Sequence, residues 1–230
     1  MRLSAGLTFD DLRRDMLAMA RMVAPEIDQP LHILRQQDVP RLPVPFARAW
    51  CQRQATPATQ VALQDAGLWR GPGPVVIFRL PLVDRLESFG VFAHEVTHLV
   101  PFAPAVSAEY SPTDLFESFG VLAAWAAEPP ETVAARPPWA DGHGPTYIRA
   151  AAHVRHRLLE VCALDIPPRY IVHEGYAPLD FPSLIRSLRP ELGSASLDAP
   201  FAEILAAAPP AEFLDLFEEA ERKWRERYER

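Results

Sequence analysis

The sequence predicts a mixed α+β fold that is predominantly helical and contains one small sheet. Apolar residues recur at helical spacing in several separate segments, which indicates amphipathic helices around a core. Residues 75–80 differ, because this run is rich in β-branched and aromatic residues and lies between a Gly-Pro-Gly-Pro turn and Pro81. A length of 230 residues suits one ordinary domain, with or without a small appendage.

Helices and extended segments alternate in the first hundred residues. The pair Thr8 and Asp11 forms a capping pattern that predicts the start of a first helix, and Pro25 ends that helix. Before the strand we expect a short extended segment, a proline-broken loop and a weaker helix that contains a proline, at residues 31–34, 40–45 and 52–67. After the strand, apolar spacing predicts a helix over residues 83–100, which Pro101 ends.

The rest of the chain is predicted to be helical apart from one long loop. Residues 128–144 are rich in proline and glycine and predict a surface loop. Pro145 suits the first turn of a helix, since its missing N–H would have no partner there. The predicted helices of this part cover residues 114–128, 145–164, 181–188 and 210–230.

Composition and charge exclude several classes of protein. A hydrophobic share of 49% is that of a globular chain, and no apolar run reaches the roughly 18 residues of a membrane span. A net charge of −7 argues against an extensive nucleic-acid-binding surface. The two cysteines are isolated in sequence, and the first residues lack the pattern of a signal peptide, so we expect a cytoplasmic protein without membrane contact.

The segment His94-Glu95-Val96-Thr97-His98 lies inside the predicted helix 83–100 and forms an HExxH motif. Residues four apart on a helix project from the same face, so the imidazoles of His94 and His98 can bind one tetrahedral zinc ion. The carboxylate of Glu95 then lies beside the zinc-bound water and can take its proton during attack on a carbonyl. The motif therefore predicts two zinc ligands and a catalytic general base.

A strand followed by an HExxH helix is the order found in metallopeptidases of the zincin class, which this chain resembles in that segment. The resemblance implies an α+β fold of zincin type with the small sheet next to the active-site helix. It also implies a strand whose edge holds the peptide substrate by main-chain pairing, and residues 75–80 are the candidate.

A catalytic zinc ion needs a third protein ligand, and the sequence offers two candidates. Residues Gly142, His143, Gly144 and Pro145, followed by Tyr147, resemble the GHGPxF-type motif of the SprT-like metallopeptidases, in which the histidine is the third ligand. The alternative is Glu117, which follows His98 after 18 residues and resembles the spacing of gluzincin peptidases. We expect His143 to be the third ligand, with Glu117 as the alternative.

Tyr147 lies one turn beyond His143 and is a candidate to hydrogen-bond a tetrahedral intermediate. The sequence thus predicts a zinc metallopeptidase of peptide or protein amide bonds, with residues 1–170 as the zincin-like domain and 171–230 as a helical extension packed on it, unless the two form a single domain. Two alternatives stay open. One is a catalytically silent module with a structural zinc ion, and the other is a metal-free helical interaction domain with solvated histidines.

Overall fold

A computed structural model of the chain describes residues 8–42, 49–79, 85–100, 145–171 and 199–228. It confirms a mixed α+β fold with a small three-stranded sheet. The described helices and strands are α1 (Phe9–Val23), β1 (His32–Arg35), β2 (Ala49–Gln52), α2 (Pro57–Asp65), β3 (Val75–Phe78), α3 (Arg85–Leu99), α4 (Pro145–Cys162), α5 (Pro168–Ile171), α6 (Phe201–Ala206) and α7 (Ala211–Tyr228). The predicted helices at 114–128 and 181–188 and the predicted loop at 128–144 lie outside the described residues.

The chain divides into two compact units, which are described separately. The first comprises Met1–Val100 and Arg157–Ile171, and the second comprises Pro101–His156 and Val172–Arg230. The predicted domains, residues 1–170 and 171–230, have other boundaries than these two units, and the predicted division stays a prediction. The HExxH helix α3, the whole sheet and helix α5 belong to the first unit.

Strand β3 occupies the centre of the described sheet, whose strand order is β1-β3-β2. It pairs in parallel with β1, where His32 lies opposite Val75, and antiparallel with β2, where Cys51 lies opposite Val76. Its four residues are all buried, as expected for a central strand. The prediction that this strand offers a free edge to a substrate is therefore wrong, because both of its edges are already paired.

The predicted helix at 52–67 begins too early, because β2 extends to Gln52 and α2 begins at Pro57. Pro57 does not interrupt this helix but occupies its first turn. The N–H groups of a first turn have no partner inside the helix, so the missing N–H of proline costs no hydrogen bond there. The side chain of Thr56 caps the helix by accepting a hydrogen bond from the Thr59 amide at 3.3 Å. The residues before this cap are extended, and Gln52 ends β2 instead of beginning a helix.

One face of the sheet carries an apolar cluster, and the other face is turned toward α3. Side chains alternate along a strand, and residues directly opposite on neighbouring strands share a face. Trp50 and its partner Ile77 accordingly belong to the same cluster. The buried members of this cluster are Leu34, Val39, Leu42, Leu63, Val75 and Ile77.

Helix α3 is buried on nearly every side within the first unit, which differs from a surface helix with one apolar stripe. It packs against β2, α1 and α5. Asp15 of α1 accepts a hydrogen bond from Arg85 at the start of α3 at 2.6 Å. The capping pattern predicted for α1 is confirmed, since the Asp11 amide donates to the Thr8 hydroxyl at 3.2 Å.

Buried arginines join helix ends in both units. In the first unit, Arg157 donates to the carbonyl of Val23 at the end of α1 at 2.7 Å. In the second unit, Arg149 donates to the carbonyls of Ile204 and Ala207 at 2.8 and 3.0 Å, and these carbonyls lie at the C-terminal end of α6. Such end carbonyls lack partners inside their own helix, so the guanidinium groups satisfy them.

None of the described helices has the length and apolar character required to cross a membrane.

Candidate metal centre

Helix α3 brings the two histidines of the HExxH motif into direct contact. Their Nε2 atoms lie 3.3 Å apart, and the ring centroids are 4.9 Å apart with the planes at 74° to each other. His94 is 5% exposed, whereas His98 is partly exposed. The rings are therefore directed at a common point. The metal-free alternative expected both rings to be solvated, and that expectation is wrong for His94.

A backbone carbonyl fixes the orientation of the His94 ring. The Nδ1 atom of His94 lies 2.5 Å from the carbonyl oxygen of Ile171, the last residue of α5. A carbonyl oxygen only accepts hydrogen bonds, so Nδ1 carries the proton and donates it. In the neutral ring Nε2 then bears the free lone pair, and this is the nitrogen that faces His98. Metal-binding histidines characteristically have such an outer hydrogen bond.

The spacing of the two nitrogens fits a zinc site. Two histidine nitrogens that are each about 2.0–2.1 Å from one ion at a tetrahedral angle lie about 3.3–3.4 Å apart. The observed separation is 3.3 Å. The same separation also suits a hydrogen bond between the rings, with Nε2 of His98 as the donor and Nε2 of His94 as the acceptor. The geometry of the two imidazoles is thus compatible with two corners of a tetrahedral zinc site.

Glu95, which follows His94 on α3, lies in a dry environment. Glu95 is only 4% exposed, and this burial raises the pKa of its carboxyl group from the usual 4.5 to about 7. The thiol of Cys51 hydrogen-bonds to the carboxylate and partly opposes this increase. A carboxyl group with a pKa near neutrality can both take and give a proton at physiological pH.

The sequence did not indicate which groups surround the motif. Cys51, which is isolated in the sequence, lies on β2 and contacts Glu95. Arg53 donates from Nε to the carbonyl of His98 at 3.0 Å, across 45 positions of the chain. Ile171 contributes a main-chain oxygen to His94, and because every residue type has this atom, the sequence cannot indicate the contact. Trp50 is a residue type that favours strands, and it could have indicated β2. Nothing in the sequence indicates that this strand packs against α3.

Among the residues that the structure describes, no third side chain joins His94 and His98 in a possible metal site. Within 8–42, 49–79, 85–100, 145–171 and 199–228, no group of three or more His, Cys, Asp or Glu side chains is arranged to hold a metal ion. Both candidates for the third ligand, His143 and Glu117, lie outside these ranges. Tyr147 is described and is 2% exposed within the second unit, so its catalytic role stays a prediction.

Comparisons of the chain with protein-family models, with curated proteins and with solved structures gave no match. The assignment of the centre therefore depends on its own geometry.

Proposed function

We propose that this chain is a zinc-dependent metallopeptidase that hydrolyses an amide bond of a peptide or protein. His94 and His98 would hold the metal, and Glu95 would act as general base and acid. The observation that carries the proposal is the 3.3 Å separation of the two Nε2 atoms on one buried helix, on which the buried Glu95 directly follows His94. When bound, zinc supplies a Lewis acid that polarises a carbonyl group and acidifies water.

The chain's own residues divide the remaining tasks. The carbonyl of Ile171 holds the His94 ring in the tautomer whose Nε2 bears the lone pair that a metal ion would accept. The ionised Glu95 carboxylate takes a proton from the attacking water and later gives it to the leaving amine nitrogen. Without metal, burial raises the pKa of Glu95 to about 7, and the charge of a bound zinc ion would lower it toward the ionised form that the first step requires.

The third ligand is proposed from the sequence resemblance alone. His143, in the segment that resembles the SprT-like motif, is the first candidate, and Glu117 is the alternative. A third ligand from the protein leaves the fourth tetrahedral position open, as catalysis requires. The silent alternative instead predicts that both residues bind the metal and close its shell.

The proposal includes a substrate peptide that pairs, through its main chain, with an edge strand of the sheet, as in zincin-type peptidases. Strand β2 is at an edge of the described sheet and packs against α3, and these two features support it as the strand that pairs with an extended peptide. This role passes to β2 from residues 75–80, whose strand is central. The cytoplasmic location stays a prediction.

Metal content and a single substitution test the proposal together. We expect protein purified without added zinc to contain close to one zinc ion per chain, and to cleave members of a quenched fluorescent peptide library. Glu95→Gln should reduce cleavage by about 10²–10⁴-fold while zinc stays bound. Glu87→Gln, on the first turn of the same helix, is the matched control and should retain activity.

Each contrary result identifies its alternative. Zinc-loaded wild-type protein that cleaves nothing would indicate the silent structural module. Protein that binds no zinc, even when zinc is added, would indicate the metal-free interaction domain. Hydrolysis that survives Glu95→Gln would remove Glu95 from the mechanism.

A further inference from the structure

We propose that Gly90 is a positioning residue for the proposed zinc ligand His94: it lets α5 lie so close to α3 that the carbonyl of Ile171 holds the His94 ring. This inference deepens the proposed function and rests on it. Gly90 need not contact metal or substrate for this role. It acts through the packing of α5, which brings the carbonyl to the ring.

Gly90 lies inside α3, where a glycine is unfavourable for the helix itself. A glycine in a helix interior costs about 1 kcal/mol relative to alanine, because it loses more backbone freedom on folding. A close approach by another part of the backbone is a reason to place glycine at such a position. In this structure the segment that approaches is α5.

The contact at Gly90 leaves no room for a methyl group. A Cβ at this position would overlap the Cβ of Tyr170, and it would lie 3.2 Å from both the carbonyl carbon of Tyr170 and Cγ2 of Ile166. Favourable carbon–carbon contacts are about 3.5–4.0 Å. The two Tyr170 atoms are fixed to the backbone and cannot rotate away. An added methyl group would therefore push α5 itself away from α3.

The same part of α5 carries the group that contacts His94. Ile171 directly follows Tyr170, and its carbonyl oxygen lies 2.5 Å from Nδ1 of His94. Gly90 and His94 are four residues apart, so they lie on one face of α3. Helix α5 thus packs over both positions, with Tyr170 at Gly90 and Ile171 at His94. We expect a displacement of α5 at Gly90 to lengthen the contact at His94.

The position of α5 depends on its packing. It has only four residues, and a helix this short is not stable without tertiary contacts. Ile166, Pro168 and Ile171 in this segment are buried, and α3 is an element against which α5 packs. The closeness of the contact at Gly90 therefore determines where the Ile171 carbonyl lies.

Two glycine substitutions separate positioning from stability. A Cβ at Gly73 would overlap the carbonyl of Pro30, and its three nearest atoms all belong to that residue of the first unit. Gly90→Ala and Gly73→Ala should therefore both lower the stability of this unit. Only Gly90→Ala should weaken zinc binding, by about tenfold, in competition with a chromogenic chelator of known affinity. Gly73→Ala should stay within about twofold of wild type, and equal Kd values in the two variants would overturn the inference.

A second substitution tests whether Tyr170 transmits the effect. Tyr170→Gly removes the Cβ that the new methyl group would overlap. In this background Gly90→Ala should weaken zinc binding by less than about threefold, because the two sites are in contact and their effects are not additive. This pair also supplies the comparison if Gly90→Ala alone does not fold. A tenfold loss that persists without the Tyr170 side chain would overturn the inference.

The His94 ring can be observed without metal or activity. In metal-free protein labelled with ¹³C-histidine, the ring signal of His94 is identified by its absence from His94→Gln. At one fixed pH we expect Gly90→Ala to shift this signal and Gly73→Ala to leave it in place, since only the first substitution moves the Ile171 carbonyl. A signal that is unmoved in Gly90→Ala would contradict the inference.

The two proposals fail in different ways. Wild-type protein that binds no zinc would reject the proposed function, and the ring signal would still decide whether Gly90 positions His94. Wild-type protein that binds zinc and cleaves peptide, combined with an unchanged zinc Kd in Gly90→Ala, would reject the inference alone.

Discussion

The burial of Glu95 predicts that the substitution Glu95→Gln stabilises the metal-free protein at alkaline pH. Folding raises the pKa of this group from 4.5 to about 7, since burial disfavours its charged form. The folded state therefore binds more protons than the unfolded state between these values. Stability contributed by the neutral carboxyl is full at acidic pH and is lost as the pH rises through about 7.

The magnitude follows from the two pKa values. Each pKa unit corresponds to about 1.4 kcal/mol, so a change from 4.5 to about 7 costs the folded protein about 3 kcal/mol once Glu95 is fully ionised. Part of that cost is already present at pH 5. Between pH 5 and pH 8.5 we therefore expect the stability difference between Glu95→Gln and wild type to grow by about 2–3 kcal/mol in favour of the variant.

Urea unfolding of both proteins in the presence of a chelator measures this difference. All other titrating groups are common to the two proteins and cancel in the comparison. Any fixed cost of burying the glutamine amide also cancels, because only the change with pH matters. The control variant Glu87→Gln should not reproduce the effect. A stability difference that stays constant within about 0.5 kcal/mol over this pH range would refute the reasoning.

Three further predictions concern metal binding and packing in the first unit. Zinc at about one hundred times its Kd should raise the free energy of unfolding of the wild-type protein by about 2.7 kcal/mol; an equal gain in His94→Ala would argue against this ligand. Gly90→Ala should lower stability by about 1–3 kcal/mol, because an added Cβ would overlap Tyr170 on α5, and a thermal melt showing stabilisation would contradict this close packing. Burial tends to raise the pKa of Asp38, but hydrogen bonds from Arg35 outweigh it and lower the pKa. Asp38→Asn should therefore cost about 1 kcal/mol at pH 7, and in matched urea titrations this cost should diminish as the pH falls through the lowered pKa of Asp38.

The local sequence predicted the helix that carries the chemistry. Apolar spacing over residues 83–100 anticipated α3, and the four-residue interval between His94 and His98 predicted that their rings would meet. Both follow from helix periodicity, which depends on neighbours within one or two turns. The apolar run at 75–80 was recognised as a strand for the same reason, because its residue types and flanking prolines are local signals.

Long-range pairing was the part that the sequence did not predict. β2 is only four residues long and lies near several prolines, so its extended conformation depends mainly on its ladder with β3. That ladder also makes β3 central. Its continuous apolar run is a local signal of a strand buried on both faces, but it does not indicate which segments pair with it. The hydrogen bonds of Cys51 to Glu95 and of Ile171 to His94 likewise join segments far apart in the chain.

The sequence by itself determined that two imidazoles lie on one helical face, since their four-residue spacing is close to the helical repeat, with a carboxylate on the same turn. Only the tertiary structure decided the state of those groups. It buries Glu95 so that its pKa approaches 7, and it orients the His94 ring through a carbonyl 77 positions away. Burial and hydrogen bonding depend on which distant segments close around the helix, and that information is spread over the whole fold.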